Sequence, residues 1–287
     1  MIIVKLTGGL GNQLFQYSLG RYLAIKNNCG LKLDITGFET YKLHNYTLGN
    51  FKIIEKFANS AEILLLNNPI SRSLSSYFPS QRKMHIKEQS SHFDPNILNA
   101  GRNVYLEGYW QSENYFKGIG DTIRKDLTLR DPLGEEAKKI AEQISSHESV
   151  SLHIRRGDYA KNERTREVHG LCSPEYYERS ISYISRRSVA PRLFIFSDDI
   201  EWAKANLNLS GLPATFVSDG NDKIKNFEEL YLMSLCKHNI LANSTFSWWG
   251  AWLNVNKDKI VIAPKKWFNS NKIDAADLIP SSWITIE

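Results

Sequence analysis

Cysteine is scarce in this chain of 287 residues: there are three, at positions 29, 172 and 236. Three scattered thiols make neither a disulfide framework nor a structural zinc site, so reduced cysteines in a cytoplasmic setting are expected. Long apolar runs are lacking too. No segment approaches the roughly 20 apolar residues that span a bilayer, and the opening MIIVKLTGGLGNQ has only a brief apolar run before its glycines. Neither a membrane bundle, a signal peptide nor a membrane anchor is therefore expected. Charge of one sign is not in large excess. The 36 basic and 31 acidic residues leave a formal net charge of +5, without a block of five like charges. That excess suits small anionic ligands and falls short of a nucleic-acid footprint.

What is present is a globular composition, 42% hydrophobic and 23% charged, which excludes extensive disorder. The chain opens with a strand, IIVKL, a glycine turn, TGGLGNQ, and a helical stripe of Phe15, Leu19, Tyr22 and Leu23. Gly30 occupies the expected helix C-cap position and LKLDI follows as a second strand. Residues 36–100 mix short apolar runs with Asn, Ser and Pro, and no elements are assigned there. From residue 135 the pattern is regular. GEEAKKIAEQISSH reads as a helix, SVSLHIR as a strand, and Ser173-Pro174 as N-cap and first residue of the next helix. RLFIFSD, ATFVSD, NILAN and KIVIAP then read as strands separated by helical segments. That alternation predicts parallel sheets covered by helices, in two Rossmann-like domains spanning residues 1–145 and 146–287, with a cleft between them.

Three polar clusters, HIRRGD, FSDD and ANSTFS, fall at C-terminal ends of predicted strands, where open α/β sheets bind ligands. Alternation puts His153 and Arg155 on one face and Arg156 on the other, so the two arginines are expected to have different tasks. One is expected to face a ligand and the other to pair with a carboxylate such as Asp158. A guanidinium fork matches phosphate oxygens; the competing reading is a salt bridge tying loop to sheet. Ser244 and Thr245 at a helix start offer hydroxyls and backbone N–H groups to an anion, and capping is expected alongside. Trp248, Trp249 and Trp252 are expected in the core. Asp198 and Asp199 suit a cap, a nucleoside contact or a metal. No Asp-x-Asp triad or His/Cys cluster supports the metal.

TGGLGNQ superficially matches a dinucleotide fingerprint, with Asp34 closing the second strand. Leu14 occupies the third glycine position, so the pattern fails and a nicotinamide-dependent oxidoreductase is a weak alternative. Asn12 and Gln13 instead offer amides at the turn, suited to phosphate or sugar hydroxyls.

TGGLGNQLFQY at 7–17, HIRRGDY at 153–159, FIFSDD at 194–199, FVSD at 216–219 and NSTFSWWGAWLN at 243–254 together resemble the bacterial α-1,2-fucosyltransferases of glycosyltransferase family 11. The resemblance runs from Ile3 to about Phe268. It implies a two-domain GT-B architecture, an acceptor-side first domain, a donor-binding second domain, GDP-β-L-fucose as donor, inversion at the sugar carbon, and neither metal nor cofactor. It further implies that Arg155 clamps the pyrophosphate with Arg156 and Asp158 in support. His153 and Asp198 would lie at the guanosine, Ser244, Thr245, Phe246 and Ser247 around the phosphates, and Asn12 at the donor from the first domain. A galactose-containing glycan would accept fucose on its 2-hydroxyl, on loops expected within 36–100. The acceptor base is expected among Asp158, Glu163 and His169, all in or beside the polar loop after the strand. Related GDP-sugar transferases of another linkage, and a non-catalytic nucleotide- or glycan-binding protein, are the alternatives. The expected location is the cytoplasm, with peripheral association at the inner membrane face.

Overall fold

The computed structural model of the chain describes residues 1–40, 43–74, 77–217, 223–270 and 273–287. They form two compact units, Met1–Asp131 with Ala276–Leu278, and Pro132–Ala275 with Ile279–Glu287. The division thus falls ahead of residue 145. The helix Glu135–Ser145 joins the second unit because Ala137 and Ile144 pack against Phe194 and Phe196 of its sheet.

The first unit contains β1 (Ile2–Lys5), α1 (Leu10–Lys26), β2 (Leu31–Asp34), α2 (Ser60–Leu66), α3 (Pro69–Leu74), β3 (His85–Lys87), β4 (Val104–Glu107) and α4 (Gly120–Asp126). Its four strands are parallel in the order β2-β1-β4-β3. The expected βαβ opening is therefore present. The expected cap at Gly30 is not: α1 ends at Lys26 with Asn27 as cap, and Asn28 takes the left-handed conformation at φ 45°. Asparagine tolerates that region better than most residues, so the turn needs no glycine. Residues 36–100, unassigned from sequence, supply short helices and β3, elements too brief to show a period.

The second unit contains α5 (Glu135–Ser145), β5 (Ser149–Ile154), α6 (Gly157–Lys161), α7 (Glu163–His169), α8 (Pro174–Ser185), β6 (Arg192–Ser197), α9 (Ile200–Asn206), β7 (Ala214–Phe216), α10 (Asn226–Leu235), β8 (His238–Ile240), α11 (Thr245–Leu253), β9 (Val261–Pro264) and β10 (Ile284–Ile286). Its six strands are all parallel in the order β10-β9-β8-β5-β6-β7. Two helical layers sandwich β5, so all six of its residues are buried. Val150, Leu152 and Ile154 pack against Tyr176, Tyr177, Ile181 and Ile184 of α8. The alternate residues are polar yet equally buried. Ser149 accepts from the Lys237 amide at 3.1 Å, Ser151 accepts from Asn239 at 2.7 Å, and the His153 ring lies 5.6 Å from that of Phe246. The VSLHI alternation therefore records two different buried faces rather than one wet and one dry.

Candidate active site

From β5 the chain moves through β6 to β7 on one side, then crosses back to β8 on the other. The strand order reverses between β5 and β8, and the C-terminal ends flanking such a reversal form a crevice suited to ligands. All three sequence clusters end on β5, β6 and β8, which are neighbours.

Arg155 immediately follows β5, and its Nη1 meets Asp198 Oδ2 at 2.8 Å. Asp198 follows β6, and its Oδ1 accepts the Arg156 backbone N–H at 2.7 Å. One carboxylate thus fixes both the guanidinium and the turn that carries it. A side chain at Gly157 would approach Asp198 Oδ2 to 2.7 Å and push the carboxylate from its place against Arg155. The Arg156 guanidinium lies 3.9 Å over the Trp202 ring, and its Nε meets Asp199 Oδ2 at 3.3 Å. Asp199 also caps α9 through the Trp202 amide. The arginines do have different settings, as alternation suggests, and among the described residues their carboxylate partners are Asp198 and Asp199; the expected pairing with Asp158 falls on a side chain outside the described residues. Both aspartates follow the neighbouring strand, and their pairing with the arginines is a matter of sheet register rather than sequence proximity. Trp202 escaped the sequence reading; its one signal was the spacing of three residues from the capping Asp199.

His153 is 6% exposed, and its Nδ1 has no hydrogen-bond partner among the described residues. Burial drives its pKa down to about 3, a shift partly opposed by the nearby Asp198 carboxylate. The ring is therefore neutral near pH 7 and keeps one nitrogen lone pair and one N–H. An orphaned buried nitrogen costs stability, and this one lies at the end of β5 beside Arg155 and Asp198, where a ligand can meet it.

At the end of β8, Ser244 caps α11 by accepting the Phe246 amide at 3.3 Å. Thr245 is the first helical residue, and Ser247 is buried, donating toward the Ser244 and Ala242 carbonyls. Ser247 is accordingly a helix-start brace, while the positive end of the α11 dipole supplies the favourable field for an anion. Trp248, Trp249 and Trp252 are buried in mutual contact, as expected for core residues.

Asp158 lies on α6, and its side chain is outside the described residues, as are Ser218 and Asp219 of the FVSD run. Glu163 is exposed in the first turn of α7, whose cap is Asn162. His169, at the far end of α7, stacks on Tyr159 at 4.7 Å and lies 5.8 Å from Phe268. Asn243 donates to the His169 carbonyl at 2.7 Å and the Trp267 carbonyl at 3.2 Å, tying α7 to the loop before α11. Beside that tie is a cavity of about 490 Å³ lined by Arg166, Cys172, Lys266 and Asn269 among others. Burial pushes the Cys172 thiol up to about 11, so it is no nucleophile near pH 7.

In the first unit, the glycine turn is built for its own domain. Gly8 is left-handed at φ 76°, and a Cβ there would come within 2.6 Å of Asn12 Nδ2. Gln13, expected at the mouth of the turn, is fully buried: it donates to the Gly8 and Asn45 carbonyls and accepts from the Thr47 amide. Two neighbouring loops claim its amide, which corrects the expectation that it offers a ligand contact. Asn12 is half-buried and accepts from Gln111 at 2.8 Å. Asp34, the acid that a dinucleotide fingerprint would need, accepts from Tyr105 at 2.6 Å and from the Thr36 amide and hydroxyl.

The profile of glycosyl transferase family 11 matches residues 1–287. The chain belongs to this family. An alpha-1,2-colitosyltransferase of Escherichia coli is 36% identical over 296 residues, covering 100% of this chain and 99% of that protein. Human galactoside alpha-(1,2)-fucosyltransferase 1 is 29% identical over 155 residues, covering 52% of this chain and 42% of that one. A variant of Arabidopsis thaliana FUT1 in complex with GDP matches in fold with a TM-score of 0.53 at 11% identity, over 93% of this chain and 71% of that one. The family 11 chain is thus a glycosyltransferase with the α/β, two-parallel-sheet architecture expected of the GT-B type.

Proposed function

We propose that this protein transfers L-fucose from GDP-β-L-fucose to the 2-hydroxyl of a galactoside, with inversion and without a metal. The observation that carries the reading is Arg155, oriented by Asp198 beside the start of α11 at the strand-order reversal. As the sugar–phosphate bond breaks, negative charge grows on the departing GDP. A fixed guanidinium and a helix N-terminus aimed at that charge stabilise it without reorganising, which is the charge neutralisation a divalent cation would otherwise give. Arg156, held over the Trp202 ring and by Asp199, keeps the turn rigid. Neutral His153 and the Asp198 carboxylate are assigned to the guanosine, and Ser244, Thr245, Phe246 and Ser247 to the phosphate surroundings. Asn12 is assigned to the donor on the resemblance alone. The acceptor proton goes to a carboxylate of the α6–α7 stretch, Glu163 or Asp158.

A second reading has its own support: the colitosyltransferase similarity extends over the whole chain. Colitose lacks the 3-hydroxyl of fucose, and a site that hydrogen-bonds that hydroxyl discriminates strongly against a sugar without it. The deciding experiment measures GDP release from GDP-fucose and from GDP-colitose, with and without lactose, in excess EDTA. Lactose-dependent release from GDP-fucose is the expected result, with the α-1,2 linkage read from the product. Preference for GDP-colitose transfers the assignment to that donor. Release abolished by EDTA overturns the metal-free reading, and tight GDP binding with no release for either donor favours the non-catalytic alternative.

A further inference from the structure

We infer that the α2–β3 region of the first unit is a docking surface for an anionic lipid bilayer, a property independent of the transfer reaction. Among the described residues, thirteen large hydrophobic side chains are exposed, and six of these, Leu64, Leu65, Ile70, Tyr77, Phe78 and Met84, fall within residues 64–84. Their exposures are large where it matters: 64% for Leu64, 59% for Leu65, 71% for Ile70 and 80% for Tyr77. Scattered exposed leucines are ordinary, but such a concentration marks an interaction surface.

These side chains are held outward by built structure. Leu66 and Ile86 of the same segment are buried and anchor it to the unit. Between α2 and α3, Asn68 accepts the Ser71 amide at 2.8 Å and donates to the Leu65 carbonyl at 3.1 Å, while the Ser71 hydroxyl reaches the Leu66 carbonyl at 2.9 Å. Asn67 accepts from Arg72 Nε at 2.7 Å. The join is therefore tied on both sides, which fixes the turn that carries Leu64 and Leu65 into Ile70. α3 in turn packs on β3, next to Met84.

Charge selects the occupant. Between Glu62 and Glu88 there is no carboxylate, while Arg72, Arg82, Lys83 and Lys87 all fall in the interval. Arg72, Arg82 and Lys87 are exposed and Lys83 is half-buried. Apolar side chains bordered by cations suit the headgroup–acyl boundary of an anionic membrane. A second copy of the chain is disfavoured by the same charge, because a two-fold contact through this patch sets cation against cation. α2 and α3 have seven and six residues, so they lie on a bilayer and do not cross it.

The test is co-sedimentation of the full chain with vesicles of phosphatidylcholine alone or mixed with phosphatidylglycerol, at low and high salt. Binding to the phosphatidylglycerol vesicles that weakens with salt is expected. The combined change Leu64→Ser, Leu65→Ser, Ile70→Ser and the pair Arg82→Glu, Lys83→Glu should each lower partitioning about tenfold or more. GDP affinity and melting temperature of both variants should stay close to wild type, with GDP affinity within about twofold, since none of the five changed residues is assigned to the donor. The inference is overturned by a wild-type chain that remains in the supernatant, by binding indifferent to both variants, or by a solution dimer that the apolar variant splits. Vesicle binding needs neither donor nor acceptor, so its failure leaves the transferase reading intact, and the converse holds.

Discussion

The two sheets end differently. In the first unit, the charged groups at the C-terminal strand ends are answered within the unit: Lys5, and His85 from the start of β3, both meet the Glu107 carboxylate, at 3.0 and 3.1 Å, and Asp34 holds Tyr105 and Thr36. Gln16 accepts from the Thr7 amide and donates to the Gly108 carbonyl, closing the glycine turn internally. In the second unit, Arg155, Asp198 and the α11 start converge, but His153 Nδ1 is left without a partner among the described residues. The lesson concerns completion. A charged strand-end cluster that satisfies itself is architecture; a leftover buried nitrogen points to a ligand where charged groups converge beside it, as at His153, and not at the Trp110 indole of the first unit, which also lacks a partner among the described residues.

The contrast breaks most sharply at Arg155. Arg155→Ala should lower turnover about 100- to 1,000-fold with the melting temperature nearly kept, because the Asp198 it leaves behind is in reach of water. Steady-state GDP release with thermal denaturation checks both halves, and near-normal turnover ends the assignment. Asp34→Ala in the first unit should do the reverse. It strands a Tyr105 hydroxyl and costs about 1–3 kcal/mol of stability by urea titration, while activity per folded molecule is preserved. A milder loss is expected for Arg156→Ala, about tenfold in turnover, and Trp202→Ala should reproduce it because both remove the same stack. Equal losses for Arg155→Ala and Arg156→Ala show that the two arginines share one task.

A further prediction sharpens the role of burial at His153. Its folded pKa lies below the ordinary 6.5, so between those values the unfolded chain binds a proton that the folded chain refuses. Stability from this group is complete above pH 6.5 and lost as pH falls toward 3, with a slope approaching about 1.4 kcal/mol per pH unit. The difference in unfolding free energy between wild type and His153→Asn, followed from pH 7 to 4.5, isolates the effect. A difference independent of pH shows that the imidazole is accessible to water.

The second unit was largely legible because its strands are buried on both faces and its helices carry caps: Ser173-Pro174 and Ser244 lie where their residue types predict. β10 was missed; three residues at the sheet edge give too short a pattern. Residues 36–100 were opaque for the same reason, being short helices, turns and a three-residue strand fixed by side-chain bonds such as Asn59 with Glu62 and Asp94 with Asn96. At the site, residue types announced Arg155 and Thr245, but partnership did not. That Asp198 serves Arg155, and that Asn243 rather than a catalytic group fastens α7, depends on sheet register, which no local window contains.

All strand pairs in both sheets are parallel, and this bears on the order of assembly during synthesis. A parallel pair cannot close through a hairpin, so each strand awaits a neighbour delivered by a crossover. β5 gains β6 after some forty residues, and at that moment Arg155 already meets Asp198. It gains β8, and with it the start of α11, only after some forty more. A nascent chain stalled near residue 230 would therefore display its guanidinium clamp half-built, able to hold its own carboxylate but not yet the anion.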